Sequence, residues 1–256
     1  MTSVSVELDR EWNRWVAWLG GPGDPSIWDD VVAMMAARQI WDGHNVVQHN
    51  APPQALKAAT FASWVAHNYV GRQAMAVRRQ VDIDRRVISL GRLIHRVGRH
   101  PDALSRDRFA ARATWASREE SDRLFDDFVG AGRVHIDPDE PKADLSTLRT
   151  GTAKVVRYAT NELAHYNKDK GKFSERLTFG DLHSAIDVVV DLSVKYRSLI
   201  MGATMSKTVA MYDWIHVFRE PWIPDDDREA RMSQRIQEIT RKRERREPII
   251  ADDFII

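Results

Sequence analysis

Apolar residues recur at helical spacing along most of the chain, and no alternating stretch is long enough for a substantial sheet. Near the start, Leu8, Trp12, Trp15 and Leu19 fall on one face of a helix that stops at the turn sequence GGPGDP. Tryptophans in such a stripe are expected in a core and not in a ligand cage. The pattern therefore predicts an all-α fold, built as a helical bundle.

Residues that favour helix starts predict where several helices begin. Ser26 is the predicted N-cap of a helix that runs to about Arg38, and Ser89 is the predicted N-cap of a helix with its apolar residues on one face. Ser117 and Glu120 have the spacing of a capping box. Further helices are expected over residues 54–80, 143–166, 178–201 and 225–246.

Two details of these segments bear on function. In the helix predicted over residues 54–80, Phe61, Val65 and Tyr69 are expected to face the interior. The stretch that holds His44 and His49 is predicted to be a loop, and its histidines lack metal-ligand spacing. The chain has no His-Glu-x-x-His motif, phosphate-binding glycine loop or serine-hydrolase elbow. Neither a metal nor a cofactor is therefore expected.

The composition fits a globular protein with a sizeable core. A chain of 256 residues buries about 70–75% of its unfolded surface, and with no cysteine it does so without disulfides. The N-terminus has no apolar signal core. The longest apolar run, VVAMMAA, is far shorter than the roughly 20 residues of a membrane span. We therefore expect a cytoplasmic protein that does not enter the membrane.

Charge is distributed in blocks of alternating sign, although the net charge is only +1. Residues 72–118 contain twelve arginines and four aspartates, residues 119–144 carry nine acidic and three basic side chains, and residues 149–176 are basic again. Two interpretations are open. Either the blocks pair with one another across the bundle, or a basic surface remains for phosphate groups.

Two segments carry a family resemblance. They are AMAVRRQVDIDRRVISLGRLIHRVGRHPDALSR, residues 74–106, and VVRYATNELAHYNKDKGKFSERLTFGDLHSAIDVVVDLSVKYRSLI, residues 155–200. An Arg-Arg-x-x-Asp helix end, a Ser-Leu-x-x-Leu start, a late Ala-His helix and an LTFGDL helix start follow in order. This order resembles the HEPN superfamily, in particular a branch related to abortive-infection proteins, over about residues 54–215.

The resemblance implies a HEPN-like helical bundle with helical extensions at both ends. The expected division is an N-terminal extension (1–50), the bundle (51–220) and a charged C-terminal helix and tail (221–256). HEPN domains are commonly homodimers, and many are metal-independent ribonucleases of toxin and antiviral defence systems. Their signature is an arginine followed, after four to six residues, by a histidine. Two such helices meet across the dimer to form one composite site.

In this chain the signature falls on the helix predicted over residues 143–166. His165 is the expected general base or acid, but seven residues separate it from Arg157, one more than the signature allows. On an α-helix, Arg157, Asn161 and His165 rise along one polar face at i, i+4 and i+8 over about 12 Å. Arg157 of the opposite subunit is therefore expected to hold the phosphate, with Asn161 orienting one of the two groups.

Three roles for this segment are left open by the sequence. The first is RNA cleavage. The second is binding of RNA, a nucleotide or a protein partner without cleavage. The third is a purely structural, oligomeric role, in which His165 donates hydrogen bonds to the last carbonyl groups of the helix. An antitoxin or another defence-system protein is the expected protein partner. The side chains expected to contact RNA are Lys154, Tyr158, Tyr166, Lys168, Lys170 and Lys172.

Overall fold

The computed structural model describes residues 3–20, 26–50, 59–164, 176–202, 207, 209 and 228–245. Over these residues the chain is helical, with a single isolated bridge between Ser105 and His135, so the predicted all-α class is confirmed. A short 3-10 helix spans Pro101–Ala103. The α-helices are α1 (Ser3–Gly20), α2 (Ile27–Asn50), α3 (Ala59–Val81), α4 (Leu90–Arg99), α5 (Arg106–Arg112), α6 (Arg118–Val129), α7 (Asp139–Tyr158), α8 (Phe179–Met201) and α9 (Arg228–Glu244).

The chain divides into two compact units, Met1–Ala210 and Met211–Ile256. Helices α1 to α8 belong to the first unit, and α1 contacts α2 and α8 there. The second unit contains α9, whose last turn is basic and so complements the negative end of the helix dipole. None of the described helices combines the length and the apolar character needed to cross a bilayer. The division at residues 50 and 220 stays a prediction.

The predicted caps are confirmed. Ser89 accepts a hydrogen bond from the backbone N–H of Arg92, and Ser117 forms a complete capping box with Glu120. Ser26 accepts from the backbone N–H of Asp29 at 3.1 Å. Each of these bonds satisfies an amide that has no partner within the helix. Local sequence therefore determines where α2, α4 and α6 begin.

The core of the first unit contains the predicted apolar stripe of α1. Trp12, Trp15 and Leu19 are fully buried, and so are the four apolar residues of α4. Phe61, by contrast, is 54% exposed, so its predicted inward orientation is wrong. The buried face of α3 passes through Tyr69, and Phe61 instead stacks on the exposed ring of Trp64.

The prediction that His44 and His49 lie in a loop is also wrong, because α2 continues through both. Trp41 and His44 are buried, and the Trp41 ring stacks on Tyr69 of α3 with centroids 4.8 Å apart. Beyond the predicted end near Arg38, α2 has about three further turns, which its own polar sequence does not require and which these contacts with another helix support. Tertiary burial of Trp41 and His44 therefore accounts for the continuation of α2 beyond Arg38.

Helices α7 and α8 pack as an antiparallel pair. Near the start of α7, Asp144 accepts hydrogen bonds from Lys195 at 2.7 Å and from Tyr196 at 2.9 Å. Burial, and then the Asp144 carboxylate, raise the pKa of Tyr196, so its hydroxyl stays a donor. Midway along the pair, a Cβ on Gly151 would lie 2.9 Å from a methyl group of Val188. Only glycine lets the two backbones approach this closely.

Ion pairs within the first unit neutralise much of the basic block at residues 72–118. Arg96 donates two hydrogen bonds to the buried carboxylate of Glu11, at 2.6 and 2.9 Å, and so ties α4 to α1. The interpretation that the charge blocks pair within the protein is supported for these arginines. Further pairs are Arg79–Asp30, Arg106–Asp126, Arg108–Asp9 and Arg118–Asp107.

The Glu11–Arg96 pair gives a test of the packing of α1. Burial raises the pKa of Glu11, but the bonds and charge of Arg96 more than offset this, and the pKa falls below its ordinary value. Glu11→Ala leaves the Arg96 guanidinium without its carboxylate, so we expect a loss of about 2 kcal/mol in the free energy of unfolding. Urea unfolding followed by circular dichroism measures it.

The matched control is Glu7→Ala, one turn earlier on α1, where the side chain is exposed. This variant is expected to change stability by no more than about 0.5 kcal/mol. A Glu11→Met, Arg96→Met double variant should recover part of the loss, because neither charge is then left unpaired. Equal stability of Glu11→Ala and the parent would contradict the assignment.

Candidate functional site

The helix that carries the predicted site changes geometry at its end. Helix α7 stops at Tyr158, and the chain continues as a π-helical segment, Ala159–Ala164. A π turn contains one more residue than an α turn, with i→i+5 hydrogen bonds. The prediction of a continuous α-helix is therefore wrong over Ala159–Ala164, and its last two residues, 165 and 166, lie outside the described residues. Arg157 and Asn161 do not share α-helical spacing.

Contacts with α3 hold this π segment in place. The Arg78 guanidinium of α3 donates to the Thr160 hydroxyl at 3.2 Å, and Ala159 is fully buried. Among the predicted site residues, Arg157 is exposed and Asn161 is half-buried. His165, the other residue predicted to be catalytic, lies outside the described residues, as do four predicted RNA contacts, Tyr166, Lys168, Lys170 and Lys172.

Lys154, another predicted RNA contact, is part of the junction between α7 and α8. Its ammonium group lies 2.7 Å from a carboxylate oxygen of Asp181 in the first turn of α8. The same carboxylate accepts from the backbone N–H and hydroxyl of Thr178, which is the N-cap of α8. The bond from Lys154, followed by those from Thr178, lowers the pKa of Asp181 to about 2. An RNA phosphate would have to compete with this carboxylate for Lys154.

An open cleft of about 570 Å³ lies between α3, the end of α7 and the start of α8. This volume is within the usual range of ligand sites. Most of its lining is apolar, and its polar groups come from three different elements. The apolar residues are Ala66, Val70, Leu177 and Phe179, and the polar ones include His67, Tyr158 and Arg176.

His67 has a defined orientation in this cleft. Its Nδ1 lies 2.6 Å from the backbone carbonyl oxygen of Ser63. Since a carbonyl oxygen only accepts, Nδ1 carries the hydrogen, and Nε2 of the neutral ring is left as the acceptor. His67 cannot be recognised from the sequence, because a single helical histidine with no motif around it is indistinguishable from an ordinary surface residue.

A cluster of aromatic rings fixes one wall of the cleft. The Trp41 centroid lies 4.8 Å from those of Tyr69 and Phe179, and the latter two are 6.4 Å apart. The Tyr69 hydroxyl is hydrogen-bonded to Nε2 of His183 at 2.9 Å, and burial raises the pKa of Tyr69 to about 12. Burial, followed by the charge of Arg38, lowers the pKa of His183 and favours its neutral ring. Phe179 is thus held against α2 and α3 at the first position of α8.

Three features meet in this cleft of the first unit: the exposed guanidinium of Arg176, the oriented ring of His67 and an apolar wall. Within the described residues, no three His, Asp or Glu side chains are grouped as metal ligands would be. Compared with known protein families, curated proteins and solved structures, the chain gave no match.

The junction of α7 and α8 predicts a pH-dependent stability. Because the pKa of Asp181 is lower in the folded protein than its ordinary value of about 3.9, its charge stabilises the fold above about pH 4. That contribution is lost as the pH falls towards 2. Asp181→Asn is therefore expected to lower Tm at pH 7, with a difference from the parent that shrinks between pH 4 and pH 2.

Asp191→Asn is the matched control for thermal unfolding at each pH. Asp191 lies on the same helix, but it pairs with Lys207 on the surface and caps nothing. We expect this control to follow the parent over the whole pH range. A Tm difference for Asp181→Asn that stays constant from pH 7 to pH 2 would contradict the role of its charge.

Proposed function

We propose that the chain is a HEPN-like, metal-independent endoribonuclease of a toxin or phage-defence system, with a composite site at a homodimer interface. The observation that carries the proposal is the π segment, which begins two residues after Arg157 and directly after Tyr158, the α7 residue that lines the cleft. π turns within helices occur frequently at functional sites. The resemblance of residues 74–106 and 155–200 to HEPN proteins points to the same helix.

The proposed chemistry needs only side chains. His165 removes the proton from a ribose 2′-hydroxyl, and the 2′-oxygen attacks the adjacent phosphorus. The bond to the 5′-oxygen breaks, giving a 2′,3′-cyclic phosphate, and the 5′-oxygen takes up a proton. Arg157 of the opposite subunit holds the phosphate and offsets the charge that develops on its oxygens. Asn161 orients the arginine or the histidine.

The second candidate is a HEPN-like module that binds RNA, a nucleotide or a protein partner without cutting RNA. The mostly apolar cleft favours it, because such a lining suits ligand binding without supplying any catalytic step. In this case the arginine displaced from the family spacing marks a lost activity. The two candidates differ in turnover and not in binding.

The first test is incubation of the purified chain with single-stranded RNA in excess EDTA, with cleavage followed on a gel. The parent is expected to cut, whereas His165→Ala and Arg157→Ala are each expected to lose at least about a hundredfold in rate, as for the loss of an acid–base group. Arg149→Ala, an exposed arginine two turns earlier on α7, is the control and should cut like the parent.

Mixing the two inactive variants tests the composite site. If His165 of one subunit acts with Arg157 of the other, a mixed dimer keeps one such pair with both side chains intact, and part of the activity returns. If both act within one subunit, mixing restores nothing. Full activity of His165→Ala would refute the assignment, and RNA binding by the parent without any cutting would favour the second candidate.

A further inference from the structure

An exposed aromatic pair lies on α3, next to the cleft. Phe61 and Trp64 are 54% and 61% exposed, and their rings stack on each other with centroids 5.9 Å apart. Exposed aromatic rings in contact with each other commonly mark a binding surface. Trp64 precedes the cleft residue His67 by three positions, so the two are neighbours on the surface of one helix, about 4.5 Å apart along its axis.

The cleft adds groups of a different chemical kind. Arg176 supplies a cation at its rim, and Nε2 of His67 is an acceptor because Nδ1 donates to Ser63. The described lining contains no carboxylate. A ligand that matches both features needs a flat apolar face, a negative group and a hydrogen-bond donor within a short distance of one another.

We infer that this surface binds single-stranded RNA, with one base stacked on the Phe61–Trp64 pair and the adjoining nucleotide in the cleft. The phosphate of that nucleotide bonds to Arg176, and a hydroxyl or base N–H donates to Nε2 of His67. Unpaired bases stack on aromatic side chains in many RNA-binding proteins, whereas a duplex hides those faces. The inference rests on the proposed function, since it assigns where the substrate of that site is held.

The test measures binding separately from cleavage. His165→Ala is the background, so that RNA stays intact, and the probe is a short fluorescein-labelled oligouridylate whose anisotropy reports Kd at fixed salt. Trp64→Ala is expected to weaken binding roughly tenfold, as for the loss of one base stack. Arg176→Ala and His67→Ala are each expected to raise Kd several-fold, and His67→Gln, which keeps an acceptor, should recover part of the loss.

Each variant has a matched control outside the cleft. Trp115→Ala removes a tryptophan of similar exposure, 59%, in the segment between α5 and α6. Arg123→Ala and His95→Gln remove exposed basic side chains from α6 and α4. The controls are expected to bind RNA like the background, and a duplex of the same length should compete poorly. Circular dichroism checks that every variant is folded.

Two results would overturn the inference. One is an unchanged Kd for Trp64→Ala, Arg176→Ala and His67→Ala. The other is that Trp64→Ala converts a dimer to a monomer but retains its RNA affinity, which would make the Phe61–Trp64 pair a contact between subunits.

Failure of the proposed function is a separate result. If the parent does not cut RNA and each of the three variants weakens RNA binding, the inference is supported and the proposed nuclease activity is wrong. If the three variants are made with His165 intact and all cut RNA with an unchanged KM, the nuclease is supported and the inference about the RNA-binding surface is wrong.

Discussion

The ion pair between Lys154 and Asp181 determines how the end of α7 meets the start of α8, and the candidate site is built on that junction. One carboxylate both neutralises Lys154 and caps α8 through Thr178. The residues beside this pair, Tyr158 on α7 and Phe179 on α8, line the cleft. A shift of either helix would therefore change the shape of the cleft as well as the helix cap.

The rest of the interface between the two helices keeps this junction in register. Asp144 bonds to Lys195 and Tyr196 at the far end, and the close approach of Gly151 to Val188 leaves little room for sliding. Beyond Tyr158 the chain is bound to α3 instead of continuing along α8. The change to π geometry occurs past the Lys154–Asp181 junction, while the chain keeps its contact with α3, which α7 also contacts.

Sequence predicted those parts of the fold that depend on neighbours along the chain. The caps at Ser89 and Ser117 and the buried stripe of α1 follow from spacing and side-chain chemistry alone. The extension of α2 through His44, the exposure of Phe61 and the π segment depend on contacts between helices, which spacing does not record. The cleft was missed for the same reason, because His67, Tyr158 and Arg176 come together only in the fold.

The distribution of charge constrains the RNA contact proposed for the first unit. Arginines such as Arg96, Arg106 and Arg118 are bonded to carboxylates of the same chain, so the +8 of their block does not act as a continuous phosphate-binding surface. A protein that binds RNA mainly by neutralising many phosphates shows an affinity that falls steeply with salt. Here the described site offers few cations beside several aromatic rings. Affinity based on stacking depends on whether bases are unpaired. The proposed recognition by α3 therefore agrees with the flexible, single-stranded substrates that the proposed 2′-hydroxyl mechanism requires.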